Sequence, residues 1–451
     1  MVNTMERNKL DVLFIAPSNL QGIYQDLSKN YAGIEPPTWA CMLAESCRSI
    51  GHTVDIIDTG VSGLTNSEIC TAIIEKNPSL ICFVAYGQNV NAGTTIMSGA
   101  IALSNYIKDF GIEIPISYIG SHVQALPVET VENESSIDIA FTNEGVYALR
   151  NLLSYTDYMS NLADIRGIAY RDNGIVKINH PERLVPKDRM DEDLPGYAWD
   201  LLPYDKTPFD LYRSPMWHAD YDNDKRSPYA AINSSLGCQF ACNFCMINIL
   251  NRDDNEEIGV AGNYSLMRYW SPEFVLRQFD KLVEMGVENV RIIDEMFLLN
   301  PKYYKPLCEG LIERGYGKKL HMWAYSRVDT IKRPGILKLI REAGIKWLAL
   351  GIESADRNVR LEVSKGKFED VDIKEVVRQV EEADINIMAN YMFGLSGDTM
   401  ETMQSTLDLS LELNTAGWNG YACMPLPGSQ VYKDAVDLGH QLPEDYAGYS
   451  F

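Results

Sequence analysis

No apolar run in the sequence approaches the ~20 residues that a membrane-spanning helix needs. The first nine residues also lack the apolar core of a signal peptide. Basic residues are few, since 40 Lys and Arg stand against 62 Asp and Glu, which gives a formal net charge of −22. Because phosphate binding requires a basic surface, we expect neither a nucleic-acid nor a membrane partner. Together these absences predict a cytoplasmic protein.

Matched ligands for a zinc ion are also missing, although the sequence has six histidines and nine cysteines. Cys308 and Cys423 are too far apart to form a second cysteine pair, and His218 has no partner at a zinc-like spacing. The cysteines are odd in number and lie mostly in apolar stretches, which indicates a reducing compartment rather than a disulfide framework. The 451 residues, 46% of them hydrophobic, are enough for two or three domains.

Three cysteines lie close together near the middle of the chain, with the spacing C-x₃-C-x₂-C. They are Cys238, Cys242 and Cys245. Three thiolates on one loop can each bind one iron of a cubane cluster, which leaves the fourth iron without a protein ligand. An open metal position is a reaction site, as it is in catalytic zinc centres. The alternatives are a zinc site, which usually needs four ligands, and a redox pair, which would be C-x₂-C alone.

The first third of the chain alternates short apolar runs with helical segments. Five runs are predicted strands, at 11–16, 53–58, 80–85, 116–119 and 137–141. This alternation predicts a doubly wound parallel sheet, in which ligands bind at the carboxyl ends of the strands. Because no G-x-G-x-x-G follows the first strand, a nicotinamide site is not expected. The fold alone leaves a nucleotide, a flavin or no ligand as alternatives.

A second α/β region follows a connector. The connector, at 156–225, contains a predicted hairpin around Asp172-Asn173-Gly174 and several prolines. Six strand–helix units then predict a partial (β/α)₆ barrel, with its chemistry at the carboxyl ends of the strands. The predicted domains are therefore the sheet at 1–155, the connector, the barrel at 226–430 and the start of a carboxyl-terminal segment at 431–451. The acidic stretch 251–257 is either a flap over the substrate or a surface loop.

The cysteine spacing, with Phe244 before the last cysteine, resembles the signature of the radical S-adenosylmethionine (SAM) superfamily. The resemblance implies a [4Fe–4S] cluster on the three cysteines and SAM at the strand ends of the barrel. The implied SAM contacts are Phe244, Asp294, Glu295, Arg327, Glu353, Ser354 and Gly394. For Arg327 the alternative is an internal ion pair with Asp329 at the barrel rim.

The amino-terminal sheet resembles the cobalamin-binding domain that precedes many radical SAM domains. The implied cobalamin contacts are Asn19, Gly22, Tyr86, Gly87, Gln88, Asn89, Gly120, Ser121, His122, Glu144 and Gly145. The best-known cobalamin domains carry D-x-H-x-x-G after the first strand, but here Pro17 and Asn19 occupy the Asp and His places. The resemblance therefore implies cobalamin with its own base displaced and no histidine beneath cobalt. For His122 the alternative is a packing or capping role.

The combined resemblance covers about residues 10–449 and is to the cobalamin-dependent (class B type) radical SAM enzymes, many of them methyltransferases. It implies transfer of a methyl group from SAM via methylcobalamin to an unactivated carbon or phosphorus. The small-molecule substrate would be a secondary metabolite, a sugar or a phosphonate, and the electron donor a flavodoxin or ferredoxin. The alternatives are a radical rearrangement or ring-forming reaction without methyl transfer, and a corrinoid-binding sensor with an inactive barrel.

Overall fold

The structure is a computed structural model that describes most of the chain. The described residues are 9–19, 25–29, 32–87, 90–206, 211–213, 228–331, 335–368 and 370–450. Gly22, Gln88 and Asn89, which were predicted to contact cobalamin, lie outside them, as does His218. No helix within the described residues has the length and apolar character needed to cross a bilayer.

The amino-terminal region is built on five parallel strands, as predicted. They are β1 (Val12–Ala16), β2 (Val54–Asp58), β3 (Leu80–Val84), β4 (Ile116–Ile119) and β5 (Ile139–Phe141). The spatial order is β2-β1-β3-β4-β5. Since β1 lies between β2 and β3, the strand order reverses beside it, and ligands of such sheets bind at this switch point.

Helices cover both faces of this sheet. They are α1 (Thr38–Arg48), α2 (Asn66–Lys76), α3 (Gly93–Asp109), α4 (Ser121–Ala125), α5 (Pro127–Asn133) and α6 (Val146–Leu153). Alternate residues of β1 point to opposite faces, so that Val12 and Phe14 join one apolar cluster while Leu13 and Ile15 join another. The doubly wound fold follows from these two buried faces.

The predicted hairpin is present and extends the sheet. Its strands are β6 (Ile168–Asp172) and β7 (Ile175–Ile178), and β6 pairs antiparallel with β5. Asn173 and Gly174 both have positive φ, at 49° and 82°, as the two-residue turn between twisted strands requires. This part of the connector therefore belongs to the amino-terminal sheet. A short helix, α7 (Met190–Asp193), follows it.

The second region is a curved sheet of six parallel strands, which confirms the predicted partial barrel. In spatial and sequence order these are β8 (Tyr229–Ile232), β11 (Asn289–Ile292), β12 (His321–Arg327), β13 (Ile345–Glu353), β14 (Asn386–Phe393) and β15 (Gly417–Ala422). Two short strands, β9 (Ser235–Leu236) and β10 (Arg268–Tyr269), pair antiparallel beside the first of them.

Helices follow the strands of the barrel. They are α8 (Pro272–Glu284), α9 (Pro301–Glu313), α10 (Ile336–Ala343), α11 (Arg357–Val363), α12 (Ile373–Glu382), α13 (Met400–Leu413) and α14 (Gln430–Asp437). The carboxyl-terminal residues fold back over both regions. Tyr449 packs with Ala125 of α4, with Met246 beside the cysteine loop and with Tyr432 of α14.

Candidate active site

The three cysteines lie on a loop that begins directly after β9. Gly237 starts this loop at φ +82°, where a Cβ atom would lie 2.1 Å from the carbonyl oxygen of Leu266. The buried side chain of Asn248 then closes the loop, because its Oδ1 accepts from Cys238 N at 2.7 Å and its Nδ2 donates to Phe240 O at 3.0 Å. Gly237 and Asn248 therefore help to set the shape of this loop.

The cysteine thiols are shielded from solvent. Cys238 is buried, and Cys242 and Cys245 are half-buried. Burial raises the pKa of Cys238 to about 12 and that of Cys242 to about 11, so a bound metal must displace their protons. Among the described residues, no three His, Cys, Asp or Glu side chains gather around one point as the ligands of a single ion do.

The two acids after β11 have different environments. Asp294 accepts hydrogen bonds from Ser234 N and Oγ, both at 2.6 Å, and from Ser235 Oγ at 2.5 Å. Its carboxylate therefore holds the chain that leads into the cysteine loop, and Asp294 also lines the cavity between the two regions, so its contact with SAM stays a prediction. Glu295 lines the same cavity. Burial raises its pKa to about 7, although the positive charge of Arg291 opposes this shift.

Glu353 is the most unusual of the predicted SAM contacts. It ends β13 at φ +64°, a conformation that costs energy for a side chain other than glycine. The strand register shifts between Gly351 and Glu353, and no described residue donates a hydrogen bond to the carboxylate. Burial raises its pKa to about 7, and nearby Arg327 opposes the shift. Strain and an unpaired carboxylate at a strand end are typical of a binding site.

Arg327 makes the predicted alternative ion pair and still keeps one donor free. Its Nε donates to Asp329 at 2.8 Å, and its Nη2 donates to the Lys367 carbonyl at 2.7 Å. The guanidinium lies between two rings, 3.8 Å from the centroid of Phe240 and 4.4 Å from that of Phe368. Its buried Nη1 has no hydrogen-bond partner among the described residues. The structure thus combines a rim ion pair with a guanidinium that lies beside the Cys242 thiol.

Of the three remaining predicted SAM contacts, one has open space beside it and two are packed inside the protein. Gly394 follows β14 at φ +79°, and a Cβ atom there would meet no atom within 4 Å, so the backbone is open to a ligand. Phe244 packs with Val359, Val363 and Leu395 behind the cysteine loop. Ser354 is fully buried, and its Oγ accepts from Asp356 N at 3.1 Å. The Ser354 side chain therefore shapes the turn after β13, and its contact with SAM stays a prediction.

The carboxyl ends of the sheet and of the barrel face each other across one cavity, called here the interdomain cavity. Its sheet side is formed by Thr38, Trp39, Tyr86, Gly87 and Val90, and its barrel side includes Asn233, Leu236, Ile247, Leu250, Ile293 and Glu295. A second cavity, the sheet cavity, lies at the ends of β1, β2 and β3. The two cavities share Thr38, Trp39, Tyr86 and Gly87. Tyr86 and Gly87 thus line both cavities, and their contact with cobalamin stays a prediction.

His122 is a packing residue in this structure. It is buried, with Nδ1 3.2 Å from Thr94 Oγ1 and with its ring edge-on to Tyr446 at 5.1 Å. Burial lowers its pKa to about 4, so the ring is neutral. No histidine of the described residues lines either cavity.

Four other predicted cobalamin contacts are occupied with internal packing. Asn19 Nδ2 donates a hydrogen bond to Ser98 Oγ at 2.5 Å, and Ser121 Oγ donates one to Val90 O at 2.5 Å. The two glycines are tightly enclosed. A Cβ atom at Gly120 would lie 2.3 Å from Ala85 O, and one at Gly145 would lie 2.4 Å from Ile119 Cδ1. These residues fix how the strand-end loops lie against α3 and α4. None of them lines either cavity, and their contact with cobalamin stays a prediction.

Glu144 joins the two regions. Its Oε2 lies 2.7 Å from Arg268 Nη2, and each of these side chains is only 1% exposed. Its Oε1 accepts from Val185 N at 2.5 Å, while Arg268 also donates to Val185 O and to Asn251 Oδ1. Glu144 is therefore one half of a buried ion pair between the sheet and the barrel. Its contact with cobalamin stays a prediction.

Sequence reasoning missed several residues that build this site. Arg252, in the stretch considered as a flap, is fully buried and donates to the carbonyls of Gln124 and Ala125 at 2.6 and 3.2 Å. Asn248 gave a weak signal, as an amide three residues after the last cysteine of the loop. The only sequence signal for Trp39 is its position shortly after two prolines, at the start of α1.

A cysteine triplet at the end of the first strand of a partial barrel, with acids and an arginine at the following strand ends, defines a class of enzyme. The family model of the radical SAM superfamily matches residues 232–410, which include the triplet, and this part of the chain is similar to radical SAM enzymes. Over nearly its whole length it has the fold of solved cobalamin-dependent members of that superfamily.

Two of these solved structures show how far the likeness extends. One is the radical SAM methyltransferase TsrM of Kitasatospora setae with cobalamin and a [4Fe–4S] cluster bound; it has a TM-score of 0.69 and 16% identity, over 97% of this chain and 80% of that one. The other is OxsB with aqua-cobalamin bound, with a TM-score of 0.68 and 16% identity, over 98% of this chain and 64% of that one.

Two curated relatives are similar in sequence along the chain. An uncharacterised methyltransferase of Pyrococcus horikoshii is 24% identical over 419 residues, which are 92% of this chain and 82% of that protein. The anaerobic magnesium-protoporphyrin IX monomethyl ester cyclase of Cereibacter sphaeroides is 25% identical over 98% of this chain and 66% of that protein. The relatives therefore include both a methyltransferase and a ring-forming enzyme.

Proposed function

We propose that the protein is a cobalamin-dependent radical SAM methyltransferase that moves a methyl group from SAM to an unactivated carbon or phosphorus of a small molecule. The observation that carries this proposal is the interdomain cavity, which the ends of both sheets line together. A ligand held by the sheet and one held by the barrel would meet there. Enzymes gain much of their rate from holding reactants together in this way.

The barrel residues fit a cluster with SAM beside it. Cys238, Cys242 and Cys245 supply the three thiolates that leave one iron open to SAM. The unpaired carboxylate of Glu353 can accept from the methionyl ammonium group, and the free Nη1 of Arg327 can donate to the methionyl carboxylate. When bound, the cluster supplies the electron that cleaves SAM reductively.

The amino-terminal sheet fits a corrinoid that has no histidine ligand. The sheet cavity lies at the switch point, and no histidine of the described residues lines it. When bound, cobalamin supplies a metal centre that can accept a methyl group and donate it. Apolar side chains such as Leu236, Ile247 and Leu250 exclude water from the space between the sites, which protects reactive species. The protein thus positions the cofactors and excludes water, while the cofactors supply the chemistry.

The partners proposed from the same reading are a small-molecule substrate and a protein electron donor. Candidate substrates are a secondary metabolite, a sugar and a phosphonate. A flavodoxin or a ferredoxin would supply single electrons to the cluster. A ring-forming reaction without methyl transfer is the second candidate, favoured by the likeness to the cyclase over 98% of this chain.

Product analysis with labelled SAM tests the proposal. The anaerobically reconstituted protein, loaded with cobalamin and a strong reductant, is incubated with methyl-labelled SAM and a panel of candidate substrates. We expect both S-adenosylhomocysteine and 5′-deoxyadenosine, and label in the methylated product. Formation of 5′-deoxyadenosine without S-adenosylhomocysteine or label would favour the ring-forming alternative. Absence of both products would contradict the enzyme as proposed.

Replacement of Glu353 tests the SAM site separately. Glu353→Gln keeps the shape of the side chain but removes the charge that would pair with the ammonium group. We expect the Kd for SAM to rise about 10- to 100-fold, because a hydrogen bond to a charged group is lost. Equilibrium binding to the cluster-loaded protein measures this, with Glu381→Gln on the exposed surface of α12 as the matched control. Equal affinities in the two variants would remove Glu353 from the site.

A further inference from the structure

Trp39 is the residue at which the two cavities meet. It lies at the start of α1, lines both the sheet cavity and the interdomain cavity, and is 9% exposed. Its ring stands edge-on against Tyr86, with the centroids 5.5 Å apart and the planes at 62°. The indole Nε1 is buried and has no hydrogen-bond partner among the described residues. A buried indole N–H normally finds an acceptor, so this one is free for a ligand.

A second tryptophan shows which part of this observation matters. Trp199 also has a buried Nε1 without a partner in the described part of the chain. Its ring stacks on Tyr197 at 4.8 Å, and it lines neither cavity. Because the two residues share the unpaired donor, the distinguishing property of Trp39 is its place on the wall of both cavities.

The lining of the sheet cavity limits what the acceptor can be. Its acidic residues are Glu35 and Asp58, and no Lys or Arg is among its lining residues. Glu35 is paired with Arg291 at 2.8 Å, and Asp58 accepts from Tyr212 at 2.8 Å. A phosphate or carboxylate would be repelled here, whereas a primary amide can give its N–H to an acid and its carbonyl oxygen to the indole. The edge of a corrin ring carries several such amides.

We propose that Trp39 binds the corrinoid, with its indole N–H donating a hydrogen bond to a carbonyl oxygen of a peripheral amide. This assignment rests on the proposed function, since it assumes that the sheet holds cobalamin. It adds a contact that the sequence did not suggest, on the side of the corrinoid site that faces the barrel.

Two substitutions of similar size isolate the donor. Trp39→Phe and Trp39→His both shrink the ring, but only the His variant keeps a ring N–H. The Kd for hydroxocobalamin is measured by absorbance titration of the cluster-loaded protein, together with iron content and the thermal midpoint. We expect Trp39→Phe to raise the Kd about tenfold, while Trp39→His stays within about threefold of the unaltered protein. Trp199→Phe, the matched control, should bind as the unaltered protein does.

The outcomes separate this inference from the proposed function. Equal affinity of Trp39→Phe and the unaltered protein overturns the inference alone, as does an equal loss in the Phe and His variants. Failure of the unaltered protein to bind hydroxocobalamin overturns the proposed function itself. If Trp39→Phe does not fold, Trp39→His compared with Trp39→Leu decides the question by the same criterion.

Discussion

The Cys242→Ala variant is expected to form no 5′-deoxyadenosine above background, a loss of more than about a thousandfold, or ~4 kcal/mol of transition-state stabilisation. Cys242 is the middle residue of the triplet, and its half-buried thiol lies next to Arg327. Without it the cluster has only two thiolate ligands from the loop. Iron and sulfide analysis after anaerobic reconstitution, followed by product detection with a strong reductant, measures both losses.

The control for this variant is another thiol in the same part of the barrel. Cys423 is half-buried and packs beside Phe244, but it lies outside the triplet. Cys423→Ala should keep the iron, and it should keep the activity to within a few-fold. Cobalamin binding should survive in both variants, because the sheet cavity contains no cysteine. Retention of a full complement of iron in Cys242→Ala would contradict the assignment of the cluster to this loop.

The Glu144→Gln variant is expected to lose about 3–5 kcal/mol of the free energy of unfolding. The substitution leaves the charge of Arg268 buried, at 1% exposure, without its partner. Since a domain is stable by only about 5–15 kcal/mol, this is a large part of the total. Urea denaturation measures this loss, and we expect the urea concentration at the midpoint of unfolding to be lower in the variant.

Two comparisons show whether burial is the cause. Glu273→Gln breaks an exposed ion pair with Arg314, which should cost less than about 1 kcal/mol. Adding Arg268→Met to Glu144→Gln removes the stranded charge, so the double variant should be more stable than the single one. If Glu144→Gln and Glu273→Gln have the same midpoint, the ion pair between the regions does not stabilise the protein as described.

The architecture could be predicted well from the sequence because short apolar runs indicate which segments form buried strands. The strands β1 and β3 are continuous apolar segments that are buried on both faces, and such segments have few other places in a fold. The turn residues predicted the hairpin, but they did not predict which strand of the sheet the hairpin pairs with. Its pairing with β5 depends on a contact outside the local sequence.

Site residues could be predicted only where the spacing of neighbouring residues in the sequence is enough to indicate their chemical role. Three cysteines on one loop need no partner elsewhere, and the structure brings them to the mouth of the barrel. An acid at a strand end is ambiguous, since it can lack a hydrogen-bond donor among the described residues, as Glu353 does, or hold a neighbouring loop, as Asp294 does. Glu144 pairs with an arginine 124 positions further along the chain, and no local pattern indicates that partner.

The hairpin of β6 and β7 also bears on the behaviour of the protein at high concentration. Without it, the backbone of β5 would form an open sheet edge, and such edges recruit strands from other molecules. The outer strand that replaces β5 at this edge has only four residues, and its exposed Lys177 pairs with Asp172 at 2.5 Å. Short, charged outer strands resist edge-to-edge pairing. The connector therefore protects the sheet against aggregation while it leads the chain towards the barrel.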